Sequence, residues 1–150
     1  MDSAARWYVE GFSKRSRIEV RVHTGEIAER LPREVELALF PVFQEALTNV
    51  RRHANARSVD VENSCEEGNA ILVVRDDGNG AAGDVLARFR AGLAGGYWPR
   101  RMQERLVELG GALDVQSGES GSVVQATPPV AACDSNDARA VNAITPLSNL

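Results

Sequence analysis

Apolar and polar positions change period several times along the chain, and each change marks an element. Ala5, Tyr8, Val9 and Phe12 recur at helical spacing. Residues 18–23, Ile-Glu-Val-Arg-Val-His, alternate and predict a half-buried strand. A polar connection over 24–32 follows. From Glu34 the set Val35, Leu39, Val42, Phe43, Ala46, Leu47, Val50 and Ala54 predicts one long amphipathic helix to about Asn55. Pro41 lies inside it, and a proline there removes a backbone donor, so a kink or split is expected near Leu37 to Phe40. Segments 58–63 and 70–76 read as strands joined by a turn over 65–69, and 77–80 as a glycine turn. Residues 81–96 are a weakly patterned loop with a short helix around 85–89. A further helix over 100–109 sets Met102, Leu106 and Leu109 on one face and stops at Gly110 and Gly111. Segments 112–117 and 122–127 form a hairpin around 118–121, and Pro128 and Pro129 end the fold.

Mixed helices and hairpins without regular alternation predict an α+β chain, a two-layer α/β sandwich with one mixed sheet and helices on one face. One domain over 1–129 is expected, with 130–150, small, polar and aperiodic, as a flexible tail. The 150 residues suffice for one core, and 43% hydrophobic with 25% charged residues exclude wholesale disorder. No apolar run approaches the roughly 20 residues of a membrane span, so no membrane contact is expected of this segment. Charged residues interrupt the N-terminal apolar stretches, unlike a signal peptide. Cys65 and Cys133 match no framework or metal spacing, which implies a reducing, cytoplasmic setting. Net charge is −4 and the arginines are scattered, so no direct nucleic-acid contact is expected.

Three clusters carry chemistry. In Gln-Glu-Ala-Leu-Thr-Asn-Val-Arg-Arg-His-Ala over 44–54, Glu45, Asn49 and His53 are spaced by four and stack on a helical face opposite the apolar stripe. A carboxylate and a carboxamide one turn apart can hold a hydrated divalent ion through oxygen; a solvated polar face is the plainer reading. In Val-Arg-Asp-Asp-Gly-Asn-Gly over 74–80, Asp76 leaves an apolar strand at the floor of a pocket. A buried carboxylate needs a partner, and an exocyclic amine is a good one. Gly78 and Gly80 would let backbone approach a ligand. The third cluster is a glycine-rich loop, Gly92 through Pro99, feeding the 100–109 helix, a junction that favours phosphate.

In this order and on these elements, the clusters resemble the N box and the two glycine boxes of histidine-kinase ATP-binding domains, within the GHKL ATPase superfamily and its Bergerat fold. The run over 44–49, His53-Ala54, Met-Gln-Glu-Arg over 102–105 and Gly-Gly-Ala-Leu over 110–113 resemble sensor kinases paired with LuxR-type response regulators. The resemblance implies ATP and Mg²⁺ as cofactors. It implies Asn49 as a ligand of Mg²⁺ bridging the phosphates, with Glu45 assisting the metal or polarising the attacking group. Arg52 and His53 would lie near the phosphates, and Asp76 would accept from the adenine amine. Gly78 and Gly80 would shape the purine pocket, and Gly95 and Gly96 would open the lid. It further implies transfer of the γ-phosphate to a histidine on a separate dimerisation domain, in the same full-length protein or a partner chain, and a response regulator with a LuxR-type DNA-binding domain as partner. The full-length protein is compatible with a membrane anchor.

Two departures qualify the resemblance. Anchoring on Met102 sets Trp98 at the lid's second glycine and Pro99 at its leucine. A Trp side chain does not fit where backbone must touch phosphate, and Pro99 removes one donor. His23, on a strand, and His53, in the N box, both lack a phosphoacceptor context. Two alternatives follow. One is a degenerate module that acts as a protein-interaction domain. The other is an anti-sigma-type serine kinase, against which the Met-x-Glu-Arg run argues.

Overall fold

The structure is a computed structural model that describes residues 3–24, 31–81, 84 and 97–130. Helix α1 (Ser3–Ser16) leads into strand β1 (Glu19–Thr24). Helix α2 (Arg33–Asn49) continues as a π-helical turn over Val50–Ala54. Strands β2 (Ser58–Glu66) and β3 (Asn69–Asp76) follow, then helix α3 (Tyr97–Glu108) and strands β4 (Ala112–Gly118) and β5 (Gly121–Thr127). The five strands lie in the order β1-β2-β3-β5-β4, with β1 and β2 parallel and every other pair antiparallel. This is the expected mixed sheet.

Periodicity explains the layering. Along α2, Val35, Ala38, Leu39, Val42, Phe43, Ala46 and Leu47 are buried and face the sheet. They meet Val59, Val61, Leu72, Val74, Val124 and Ala126, the alternate positions of β2, β3 and β5. Tyr8 of α1 packs edge-on against Phe40 and Phe43 of α2, with ring centroids 6.0 and 5.9 Å apart. Arg75 pairs with Glu62 at 2.9 Å and Arg21 with Asp60 at 2.8 Å, at the positions that alternate with this core.

Several expectations are corrected. Pro41 does not split α2, which runs unbroken from Arg33 to Asn49. The carbonyl that Pro41 leaves unpaired belongs to Leu37, which is 52% exposed and within reach of water. The β2–β3 turn is two residues, Glu67 and Gly68, both at positive φ, so both strands are longer than predicted. Helix α3 starts at Tyr97, three residues before the predicted start, which makes Trp98 and Pro99 part of its first turn. There a proline costs nothing, because the first helical N–H groups have no intrahelical partner. The ordered chain passes both prolines: Val130 is buried and its N–H donates to the Gly68 carbonyl at 2.8 Å. Cys65 is buried and disulfide-bonded, against the reading that the cysteines form no framework; the other cysteine, Cys133, lies outside the described residues. So do the predicted helix over 85–89 and most of the predicted tail.

Asn63, on the core face of β2, is 1% exposed, and neither its Oδ1 nor its Nδ2 has a hydrogen-bond partner. An orphaned buried amide costs about 1–3 kcal/mol. Asn63→Val, which also suits a strand, is expected to raise unfolding free energy by about 1–2 kcal/mol in urea melts. Equal or lower stability would show that the amide is satisfied in solution.

Candidate functional site

The last turns of α2, the C-terminal end of β3 and the N-terminal end of β5 converge at one end of the sheet. Ala46, Asn49, Val50, Val74, Asp76, Ser122 and Val124 line a small cleft there. Its walls are apolar and three polar side chains enter it.

Asp76 is buried at the end of β3. Its Oδ1 accepts from the Gly78 N–H at 2.9 Å, and its Oδ2 accepts from the Ser122 hydroxyl. The register sets Ser122 directly opposite Asp76. Each carboxylate oxygen keeps acceptor capacity toward the cleft. Ser122 was not among the candidate residues. Its only sequence signal was its place at the start of an alternating strand, and pairing between β3 and β5 cannot be read from local pattern.

Asn49 is 4% exposed, and its Nδ2 has no hydrogen-bond partner. The expected polar face opposite the apolar stripe does not hold for it. Asn49 follows Ala46 by three and precedes Val50, so it lies on the buried edge of the helix. Glu45 is half-buried, and burial pushes its carboxyl above the usual range, while the Arg52 charge and the nearby Asn49 amide, beyond hydrogen-bond distance, draw it down. Glu45 and Asn49 stay one α-helical turn apart, but His53 leaves their stack because the helix widens to π geometry at Val50. Arg51, Arg52 and His53 are therefore exposed on that wider turn, which ends at Asn55 in the left-handed conformation, φ 52°.

The glycines of the 77–80 turn meet protein backbone. A Cβ on Gly78 would lie 2.1 Å from the Ala54 carbonyl oxygen, and one on Gly80 would lie 2.3 Å from that of Gly118. The same Ala54 carbonyl accepts from the Asn79 N–H at 2.9 Å. Asp77, read in the sequence only as part of the turn, accepts at one oxygen from the N–H groups of Arg57 and Ser58, at 2.8 and 3.0 Å. Its other oxygen accepts from the Ser58 hydroxyl at 3.0 Å. The Ser58 N–H is the main cause that holds the Asp77 carboxyl below its usual range; slight burial opposes it, and Arg57 and the Ser58 hydroxyl add to it.

Of the residues the sequence nominated, the structure thus brings Asn49 and Asp76 to one cleft. Glu45 and Arg52 lie beside it, His53 points to solvent, and Gly95 and Gly96 lie outside the described residues.

Residues 34–132 match the profile of the histidine kinase-, DNA gyrase B- and HSP90-like ATPases. The chain belongs to this family. Among curated relatives, the sensor histidine kinase MctS of Rhizobium johnstonii is 34% identical over 123 residues, 81% of this chain and 26% of the relative. The oxygen sensor histidine kinase NreB of Staphylococcus carnosus is 33% identical over 132 residues, 87% of this chain and 36% of the relative. The chain thus spans about a quarter to a third of these relatives' length. The blue-light activated histidine kinase of Erythrobacter litoralis EL346 shares the fold with TM-score 0.66 at 22% identity, over 85% of this chain and 41% of that one. Full-length ShkA in complex with AMPPNP does so with TM-score 0.63 at 23% identity, over 83% and 28%. Profile and relatives together make this an ATP-binding catalytic domain of the sensor histidine kinase type.

The packing of the ATPase turn yields a paired test. Gly78→Ala drives a Cβ into the Ala54 carbonyl and is expected to cost about 1–3 kcal/mol of stability. Gly118→Ala meets nothing within 4 Å and should stay within about 0.5 kcal/mol of the parent. Thermal melts that rank the two equally would contradict the contact.

Proposed function

We propose that the cleft takes Mg-ATP and that the domain delivers the γ-phosphate to a histidine on a dimerisation domain, in the same protein or a partner chain. One observation carries the reading. A buried donor without a partner, Asn49 Nδ2, and a buried carboxylate with spare acceptor capacity, Asp76, line one apolar-walled cleft. A ligand that satisfies both offers Asp76 a donor on a flat apolar body, as adenine does, and offers Asn49 an acceptor beyond that body, as a phosphate does. Asp76, with Ser122 behind it, reads the exocyclic amine. Asn49 Oδ1 and the Glu45 carboxylate supply hard oxygens for Mg²⁺, an ion that takes one or two protein ligands and completes its shell with phosphates and water. Arg51, Arg52 and His53 present positive charge and donors beyond it.

Asn49 and Glu45 would hold the Mg²⁺, which would supply charge neutralisation at the phosphates; the chain's own residues otherwise position the nucleotide. His23, on an exposed strand, and His53, on the π turn, leave the target histidine to another domain. A response regulator of the LuxR type is the proposed next acceptor, supported by the Gln-Glu-Ala-Leu-Thr-Asn and Met-x-Glu-Arg runs. A cytoplasmic location rests here on the use of ATP, since the disulfide at Cys65 removes the cysteine argument for it; among the described residues no helix is long and apolar enough to cross a membrane. A second reading, a module with weakened ATP binding that acts through protein contacts, draws on Trp98 and Pro99 in the first turn of α3.

Calorimetry separates these. Asp76→Asn is expected to cost about 1.5–3 kcal/mol of ATP affinity, the worth of a hydrogen bond to a charged group. Asn49→Ala should weaken Mg-ATP far more than metal-free ATP. Parent-like binding by both variants would overturn the assignment, and no measurable heat with the parent chain would favour the second reading.

A further inference from the structure

Two segments that carry the proposed ligand contacts meet along a seam. One is the exit of α2, where the π turn ends at Ala54 and the chain enters β2 at Ser58. The other is the exit of β3, where Asp76 is followed by the 77–79 turn. Across this seam the Asn79 N–H donates to Ala54, and the Asp77 N–H donates to the Ser58 carbonyl at 3.3 Å. The rest is the Asp77 carboxylate, which accepts from two backbone N–H groups and one hydroxyl on residues 57 and 58. Asp77 is exposed and does not line the cleft.

We infer that Asp77 is a positioning residue: its carboxylate clamps the exit of the Asn49 helix to the strand end that carries Asp76, and so sets the spacing between the two ends of the nucleotide site. The inference rests on the proposed assignment of Asp76 to adenine and Asn49 to the metal-bound phosphates. A carboxylate is suited to the task. It gathers two N–H groups that precede or open β2 and would otherwise face solvent, and charge-assisted bonds hold them more firmly than water does. The β2–β3 ladder ends at Val59 opposite Asp76, so without the clamp residues 54–58 are held to the 77–79 turn by two backbone hydrogen bonds and the packing of Gly78 on Ala54. Small displacements of a binding group cost far more affinity for a ligand held at both ends than for one held at a single end.

The test uses the whole chain and two probes, adenosine, which reaches only the Asp76 end, and Mg-ADP, which spans both. Asp77→Ala is expected to bind adenosine within about twofold of the parent and Mg-ADP about tenfold or more weakly. Asp77→Asn, whose amide can accept the two N–H groups and donate to Ser58 Oγ, should restore Mg-ADP binding. Ser58→Ala removes one contact and should show the same split at smaller amplitude, which serves if Asp77→Ala does not fold. Parent-like Mg-ADP binding by a folded Asp77→Ala would overturn the clamp while the site stands. Equal loss of both probes would overturn it in favour of a general structural role. Failure of the parent to bind either probe would overturn the site assignment and the clamp together.

Discussion

A carboxylate buried at the end of a central strand is the constraint on which the rest depends. Asp76 is taken from water by the packing of α2 on the sheet, and a buried charge persists only where donors surround it. The chain supplies two. The Gly78 N–H comes from a turn that doubles back two residues later, and the Ser122 hydroxyl comes from a strand 46 residues away. The first requires a turn tight enough to press Gly78 on the end of α2. The second requires β5 to lie beside β3, which leaves β4 at the sheet edge and gives the non-sequential order. The polar end of the cleft and the topology are thus one arrangement.

The proposed site has two differently built ends. The end assigned to adenine is built on strand ends in register and on backbone-to-backbone packing. Its opposite end is built on a helix that changes pitch at Val50, so that Asn49 remains in the buried face while Arg51, Arg52 and His53 turn outward. The change of pitch separates the buried Asn49 from the exposed Arg51 and Arg52 at the mouth of the proposed site. Such a division suits phosphoryl transfer, in which the base is held firmly and the phosphates must be delivered outward.

Most elements were legible in the sequence because hydrophobic period is local. The burial of α2 followed the Val35 to Val50 stripe, and β5 followed Ser122, Val124 and Ala126. Misread features have non-local or subtle causes. Asn49 was assigned to a polar face by its spacing of four from Glu45 and His53, although its spacing of three from Ala46 lies on the buried side. The π turn has no compositional mark, so His53 was stacked with residues it leaves. Ser122 and Asp77 escaped notice because their roles exist only across strand pairs and loop seams, as do the backbone contacts for which Gly78 and Gly80 make room. Asp76 was legible because a carboxylate ending an apolar strand is anomalous in itself.

The central claim is that the nucleotide lies between α2, β3 and β5. Amide NMR of the labelled chain titrated with a non-hydrolysable Mg-ATP analogue tests it most directly. The account predicts the largest shifts at Asn49, Val50, Val74, Asp76, Gly78, Ser122 and Val124, with Arg21, Glu62 and Asp114 unmoved. Shifts concentrated on β1 and β4, or none at saturating ligand, would contradict it.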